Sequence, residues 1–275
     1  MHVKKGQWIG AVFFFCEGIG GKPRKSRSGG GTKLILVVML ATRTVVLALL
    51  LDPAAPLQVF YDSSNALHRD INYHPECPER IDHCLHALRQ YFGNTEYEDG
   101  LAAPQIIDVA ADPEVPSDIQ QHEYSLPLTN QEFEHAKDVL AKIHDASYIS
   151  SLKNSKDSLS WINYVDGPDT YLTPESYDVG VRATGAWIRA VDASLLGASQ
   201  NAISNDIAVA LTRPPGHHAK HSFSNGFCIF NFAMAAAAHA LSIDQSMKIS
   251  ILDWDVHYGQ GVADISRIGR NKSDM

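Results

Sequence analysis

The sequence has few cysteines and little positive charge over most of its length, and both features exclude classes of protein. Four cysteines among 275 residues form no C-x-x-C pair and no regular spacing, so a disulfide framework is not expected. They are Cys16, Cys77, Cys84 and Cys228. The net charge of −8 divides into +6 over residues 1–57 and −14 over the remainder. A body this acidic does not suit nucleic acid, which requires a basic face, but it suits a cationic substrate such as a lysine-rich peptide or a polyamine.

Long apolar runs are also scarce, and the one exception lies near the N-terminus. Residues 34–51 contain a single charge, Arg43, and follow a basic stretch rich in Gly and Ser. Three interpretations stay open: a membrane span or signal anchor, a cleaved targeting segment, and a mis-predicted start with Met39 as the true initiator. We therefore divide the chain into a leader (residues 1–57), a main domain (58–264) and a divergent tail (265–275).

The main domain has the pattern of an α/β protein. With 45% apolar and 20% charged residues it can bury a sizeable core. The spacing of apolar residues and the capping signals predict strands at 58–61, 106–110, 207–212 and 248–252, and helices at 80–92, 130–143, 173–196 and 231–241. The strand at 207–212, the helix at 231–241 and the strand at 248–252 form a β-loop-α-β unit. Such a unit implies two neighbouring parallel strands that are buried on both faces.

Reactive side chains follow both strands of this unit. His217 and His218 come after the first strand, and Asp253, Asp255 and His257 come at the end of the second. If the second segment stays extended, its three side chains share one face, and Asp with His suits zinc. A structural histidine pair and a charged loop are the plain alternatives. The shared position at the carboxyl ends of parallel strands favours one joint site.

Several motifs in a fixed order resemble one known family. They are HPECPER at residues 74–80, His144-Asp145, RPPGHHA at 213–219, NGFC at 225–228 and DWDVHYG at 253–259. Together they resemble the zinc-dependent histone deacetylases of the arginase/deacetylase superfamily, and are more similar to the class II and bacterial-type enzymes. The resemblance covers about residues 59–264 and implies a three-layer α/β/α fold around a mainly parallel sheet.

The resemblance also implies roles for individual residues. Asp255 and His257 match two zinc ligands, and His217 and His218 match the tandem catalytic histidines, with His218 as the general base. Asp253 matches a residue that supports His217 and helps to hold a structural potassium ion. Gln260 stands at the position of a supporting Asp or Asn. Gly226 and Phe227 match residues that line the acyl-lysine channel, and Arg80 matches a residue near the inner end of that channel.

Two features of the family are not found in the sequence. One is the third zinc ligand, which is an aspartate in the family, and the other is a tyrosine that donates to the oxyanion. Neither has a match here, and the chain ends eighteen residues past His257. We therefore expect a C-terminally truncated deacetylase with little or no activity. A non-catalytic product, such as a pseudoenzyme or dimerising decoy, is the main alternative. An arginase-like ureohydrolase is a distant one, because Gly259 stands where it would need an aspartate.

The resemblance indicates substrates and location only in outline. The expected substrate is an acetylated lysine protein such as a histone tail, or an acetylpolyamine, with no direct binding of nucleic acid. The family implies a nuclear or cytoplasmic protein, and the leader is the part that would direct it to an organelle or a membrane.

Overall fold

The computed structural model describes residues 10–18, 33–40, 57–70, 72, 74–93, 105–110, 123–158, 163–166, 169–197, 207–253 and 255–273. Its strands are β1 (Gly10–Gly18), β2 (Lys33–Leu40), β3 (Leu57–Tyr61), β4 (Gln105–Asp108), β5 (Glu123–Ser125), β6 (Asn163–Asp166), β7 (Thr170–Leu172), β8 (Ile207–Thr212) and β9 (Lys248–Asp253). Its helices are α1 (Glu79–Gly93), α2 (Asn130–Ile143), α3 (Ala146–Ser158), α4 (Ser176–Gly197), α5 (Phe232–Ile243) and α6 (Gln260–Ser273), with a 3-10 helix at Ser63–Leu67.

The main sheet contains seven of these strands in the order β5-β4-β3-β8-β1-β2-β9. Strand β1 is antiparallel to β8 and to β2, and the other four pairings are parallel. Strands β6 and β7 form a separate antiparallel pair. The predicted α/β fold around a central, mainly parallel sheet is confirmed.

The expectation that β8 and β9 are neighbours is wrong, because β1 and β2 lie between them. The pairing directions still make β8 and β9 run the same way. Their carboxyl ends therefore share one edge of the sheet, separated by about 14 Å at roughly 4.8 Å per strand. The loops that follow these two strands have to bridge that distance to form a joint site.

Burial also differs between the two strands. Strand β8 is buried, with Ala208, Val209, Ala210 and Leu211 each 3% exposed or less, as predicted. Strand β9 instead alternates between exposed and partly buried residues. Ile249 and Ile251 pack against the core, whereas Leu252 is 40% exposed. The prediction of burial on both faces is wrong for β9, because it is the last strand at its side of the described sheet and shows the alternation of a half-covered strand.

The core lies where α2, α4 and α5 pack together and α4 packs on β8. Small residues near the middle of α4 allow this close packing, and two of them, Ala183 and Ala186, are fully buried. The Trp187 indole N–H donates to the Thr212 hydroxyl at 2.9 Å and fixes α4 against the end of β8. This contact sits beside the loop that carries the paired histidines.

Capping signals in the sequence predicted the first residues of helices α2 and α4. The capping box at Thr129 and Glu132 is present, so the predicted start of α2 is confirmed. Helix α4 starts at Ser176 rather than at the predicted Thr173. The reason is local: the Ser176 hydroxyl accepts from the Thr173 backbone N–H at 2.7 Å, and the intervening residues form a turn.

The predicted division of the chain crosses two elements of the structure. Strand β3 begins at Leu57, one residue before the first boundary, and α6 continues through the boundary at residue 264. Strands β1 and β2 lie within residues 1–57. The division itself stays a prediction. Of residues 34–51, those from 41 onward lie outside the described ranges. None of the helices in the described ranges is both long and apolar enough to cross a membrane.

Candidate active site

The loop after β8 and the turn after β9 meet at the shared edge of the sheet. His217 Nδ1 lies 2.8 Å from Asp253 Oδ2, which joins the two segments directly. A backbone bond from Gly261 N–H to the His217 carbonyl (3.0 Å) makes a second connection. The two clusters predicted from sequence are therefore one site, although their strands are not neighbours.

The turn after β9 is not the extended segment that the sequence predicted. Asp253 Oδ1 accepts from the backbone N–H of Asp255 at 3.0 Å, and Asp255 Oδ1 accepts from that of His257 at 2.7 Å. These short side-chain-to-backbone bonds favour turns over extended backbone. Asp255 and His257 converge nevertheless, with Oδ1 of Asp255 and Nδ1 of His257 2.9 Å apart.

The adjacent imidazoles have different partners. His217 is buried beside the carboxylate of Asp253, and its Nε2 lies 3.9 Å from Asp255 Oδ2. The Nδ1 of His218 faces the amide oxygen of Gln260 at 2.7 Å. Because an amide oxygen only accepts, His218 Nδ1 carries the proton and Nε2 is the basic nitrogen. Burial, and secondarily the charge of His217, lower the pKa of His218 below its ordinary value.

Two glycines permit this close packing, and both have positive φ angles. A Cβ at Gly226 (φ +50°) would lie 2.5 Å from Cδ2 of His218. A Cβ at Gly259 (φ +60°) would overlap Asp253 Oδ2 and lie 2.9 Å from Nδ1 of His217. Gly259 is a part of this site that was not predicted from sequence. Its position inside the DWDVHYG motif was the available signal.

A buried histidine outside the predicted set, His144, anchors the loop after β8. His144 Nδ1 lies 2.9 Å from the carbonyl of Lys220, and its Nε2 accepts from the backbone N–H of Asn231 at 3.0 Å. Burial lowers the pKa of His144 to about 4, so its imidazole is neutral near pH 7 and can accept at Nε2. The motif His144-Asp145 contained this signal, but nothing in the spacing indicated a contact with residues 76 and 87 positions away.

The predicted channel residues lie in two places. Phe227 has a φ of +70°, and its backbone N–H donates to the Thr170 hydroxyl at 2.9 Å. Its ring contacts His74 edge-on with centroids 5.1 Å apart. His74 in turn contacts Tyr171. The channel wall is thus tied to the β6–β7 hairpin and backed by aromatic residues.

Arg80 lies behind this wall in a buried charged cluster. Glu76 accepts two bonds from Arg213, at 2.6 and 2.7 Å, and lies 3.6 Å from Arg80. Burial alone would raise the pKa of Glu76, but the Arg213 guanidinium holds it well below its usual range. Two Arg80 nitrogens, Nε and Nη2, are buried without a hydrogen-bond partner. The hydroxyl of Tyr171 bonds to both Glu76 and Arg213, which connects the cluster to the wall.

Zinc fits the predicted donors in type. Asp255 and His257 supply a carboxylate and an imidazole, both of which Zn²⁺ binds. In the described part of the chain, no group of three His, Cys, Asp or Glu side chains is arranged to hold a metal ion. The predicted donors therefore number two, whereas a catalytic zinc uses three protein ligands. Both oxygens of Asp253 already accept bonds within the site.

Comparison with known proteins identifies close similarities over most of the main domain. The family described as the histone deacetylase domain matches residues 74–271. Histone deacetylase 14, chloroplastic, of Arabidopsis thaliana is 31% identical over 213 residues, which are 76% of this chain and 44% of that protein. Polyamine deacetylase HDAC10 of Homo sapiens is 37% identical over 134 residues, which are 47% of this chain and 19% of that protein.

A solved structure supports the fold. The crystal structure of the HDA15 HD domain matches with a TM-score of 0.51 and 24% identity, over 77% of this chain and 50% of that chain. This chain spans half or less of the length of these relatives.

Proposed function

The chain belongs to the histone deacetylase family, and from this premise we propose that it hydrolyses the amide of acetylated lysine. The observation that carries the proposal is the unequal pairing of the two adjacent imidazoles. His217 faces a carboxylate, whereas His218 faces a neutral amide. Two such groups at one site can divide charge stabilisation and proton transfer between them.

His218 is the general base of the proposed reaction. Its Nε2 takes a proton from the attacking water, and the same proton can pass to the amine that leaves when the C–N bond breaks. The products are acetate and the free lysine amine. Gln260 fixes the tautomer but provides no charge to stabilise an imidazolium, so His218 stays a neutral base near pH 7. His217 is held in place by the Asp253 carboxylate, and its ring lies against that of His218, with centroids 4.0 Å apart.

Zinc is the implied cofactor, with Asp255 and His257 as the residues that would hold it. When bound, it supplies polarisation of the acetyl carbonyl and acidification of water. Asp253 is the supporting residue and the candidate potassium ligand. Gly226 and Phe227 form the wall beside the alkyl chain of the substrate, and an aromatic ring suits that contact.

The substrate is an acetylated lysine protein or an acetylpolyamine. Relatives with both kinds of name are similar to this chain, which supports the shared acetyl-amine chemistry and not one of the two substrates. The acidic balance of residues 58–275 favours a cationic substrate of either kind.

The second candidate is a catalytically inactive member of the family. It is favoured by one observation, that the described residues supply two zinc donors rather than three. An arginase-like reaction has less support, because Gly259 provides no carboxylate beside His257.

Acetate release from an acetyl-lysine peptide and from N-acetylspermidine tests the proposal. We expect chelator-sensitive release, reduced about 10²- to 10⁴-fold in kcat by His218→Gln. His86→Gln is the matched control, because it removes an exposed imidazole on α1. Zinc-loaded protein that releases no acetate from either substrate would support the inactive alternative. Manganese-dependent release of urea from arginine would support the arginase-like one.

A further inference from the structure

The side-chain amide of Gln260 has two ends, and each end faces a different part of the site. Its oxygen, Oε1, lies 2.7 Å from Nδ1 of His218. Its nitrogen, Nε2, donates to the side-chain oxygen of Asn225. If the oxygen and nitrogen were exchanged, His218 would face a donor instead of an acceptor. The orientation of this amide therefore determines which nitrogen of His218 carries the proton.

The contact between Gln260 and His218 does not specify that orientation by itself. The two ends of an amide are similar in size, so either orientation fits the same space. With the amide exchanged, His218 would move its proton to Nε2 and accept at Nδ1, and the contact would again be a good hydrogen bond. Another group has to select one of the two orientations.

Asn225 is the group that can make this selection. In the observed orientation, its Oδ1 accepts from Nε2 of Gln260. In the exchanged orientation, Oε1 of Gln260 would face Oδ1 of Asn225, and two acceptors would meet with no proton between them. Leaving partly buried polar atoms without a bond disfavours that state by on the order of tenfold to a hundredfold.

The backbone that carries Asn225 is held in a fixed position. Asn225 and Cys228 exchange two backbone hydrogen bonds, at 3.1 and 2.8 Å. Gly226 and Phe227 between them have φ angles of +50° and +70°, and positive φ at both central residues is typical of a tight type I′ turn. The buried Cys228 thiol accepts from the backbone N–H of His218 at 3.4 Å. This turn and His218 are thus joined directly.

We propose that Asn225 sets the tautomer of His218 through Gln260 and is thereby a positioning residue for the proposed reaction. The inference rests on the proposed function and deepens it, because a general base needs an Nε2 that carries no proton. Asn225 acts through the Gln260 amide and is not itself a catalytic residue.

NMR of the full chain at about pH 8 measures the tautomer, because a neutral imidazole has different nitrogen chemical shifts at Nδ1 and Nε2. The spectrum of His218→Gln identifies the signals of His218. In the wild type we expect the proton on Nδ1. Asn225→Ala and Asn225→Leu both remove the acceptor, so the ratio of the Nδ1-protonated to the Nε2-protonated form should fall by about tenfold or more. Circular dichroism checks that each variant is folded.

Three control variants separate the selection of orientation from a general structural role. Asn225→Asp presents an acceptor whichever way its carboxylate turns, so it should keep the proton on Nδ1. The carboxylate of Gln260→Glu has no donor end, so Asn225→Ala in that background should leave Nδ1 protonated. Asn130→Ala changes an exposed asparagine at the start of α2 and should match the wild type.

Two results of the NMR experiment would overturn the inference. One is an unchanged tautomer ratio in Asn225→Ala and Asn225→Leu. The other is an equal change in the wild-type and Gln260→Glu backgrounds, which would indicate that Asn225 only supports the turn.

Acetate release tests the proposed function separately. In an active wild type, Asn225→Ala should lower kcat in proportion to the remaining Nδ1-protonated fraction and leave KM nearly unchanged. A kcat that does not follow this fraction would overturn the role of Asn225 in the reaction. A wild type that holds the proton on Nδ1 but releases no acetate would overturn the proposed function alone, because the selection of the tautomer by Asn225 does not depend on turnover.

Discussion

Substitution of Gly259 by alanine should disrupt the connection between the two halves of the site. Gly259 has a φ of +60°, in the left-handed region that residues with a Cβ avoid. The added Cβ would overlap Asp253 Oδ2 and lie 2.9 Å from His217 Nδ1. Because those two atoms form the bond that joins the turn after β9 to the loop after β8, one of them has to move.

The magnitude follows from two contributions. The left-handed backbone costs an alanine about 1–2 kcal/mol. Loss of a hydrogen bond to a charged group adds about 1.5–3 kcal/mol. We therefore expect Gly259→Ala to lower the free energy of unfolding by about 2.5–5 kcal/mol, a large part of the roughly 5–15 kcal/mol that holds a typical domain folded.

Urea unfolding followed by circular dichroism measures this, with Gly269→Ala as the matched control. Gly269 lies in α6, and a Cβ there meets nothing within 4 Å, so this change should stabilise by up to about 1 kcal/mol. In an Asp253→Ala background the overlap with the carboxylate and the hydrogen bond are both gone, so Gly259→Ala should cost less: the backbone part and the remaining approach to His217 Nδ1. A loss below about 1 kcal/mol in the wild-type background, or the same loss in both backgrounds, would refute the reasoning.

Three further predictions concern charge. Burial lowers the pKa of His144 from its ordinary 6.5 to about 4, so as the pH falls the unfolded chain takes up the proton first. This residue should therefore reduce the free energy of unfolding by about 2 kcal/mol between pH 7 and pH 5. Urea unfolding at several pH values measures this, and a His144→Gln variant that keeps the full pH dependence would contradict it. Gln260→Glu places a carboxylate beside His218 Nδ1 and should raise the pKa of that imidazole. An NMR titration of the imidazole measures this, and an unchanged pKa would contradict the prediction. Arg213→Met should lower the free energy of unfolding by about 3–5 kcal/mol, because it leaves the buried carboxylate of Glu76 without its bidentate partner. Arg80→Met removes two buried nitrogens that have no hydrogen-bond partner, so its loss should be clearly smaller. Urea unfolding compares the two variants, and equal losses would contradict the difference.

Local signals in the sequence predicted individual elements well. Strand β8 is a continuous apolar run that ends at a Pro-Pro-Gly turn, and the structure has it at the predicted residues. The capping box at Thr129 and Glu132 joins residues three apart, so its hydrogen bonds depend only on a short segment of sequence. Family membership followed from the order of several motifs, each of which is also local.

Long-range pairing could not be predicted in the same way. The insertion of β1 and β2 between β8 and β9 depends on contacts between segments about 200 residues apart in sequence. Nothing in the alternation of a single segment specifies which strand will be its neighbour. The half-exposed state of β9 has the same cause, because its burial depends on its position in the sheet rather than on its own apolar residues.

The two adjacent histidines show most clearly where prediction from sequence stops. They are identical and adjacent, so no local property distinguishes their roles. Their partners do: Asp253 lies 36 residues from His217, and Gln260 lies 42 residues from His218. Asp253 is the last residue of β9 and Gln260 follows that strand, while both histidines follow β8. The distinction therefore depends on segments that meet across the width of the inserted strands β1 and β2. A change that shifts the turn after β9 should therefore displace the partners of both imidazoles together, even when it leaves the loop after β8 intact.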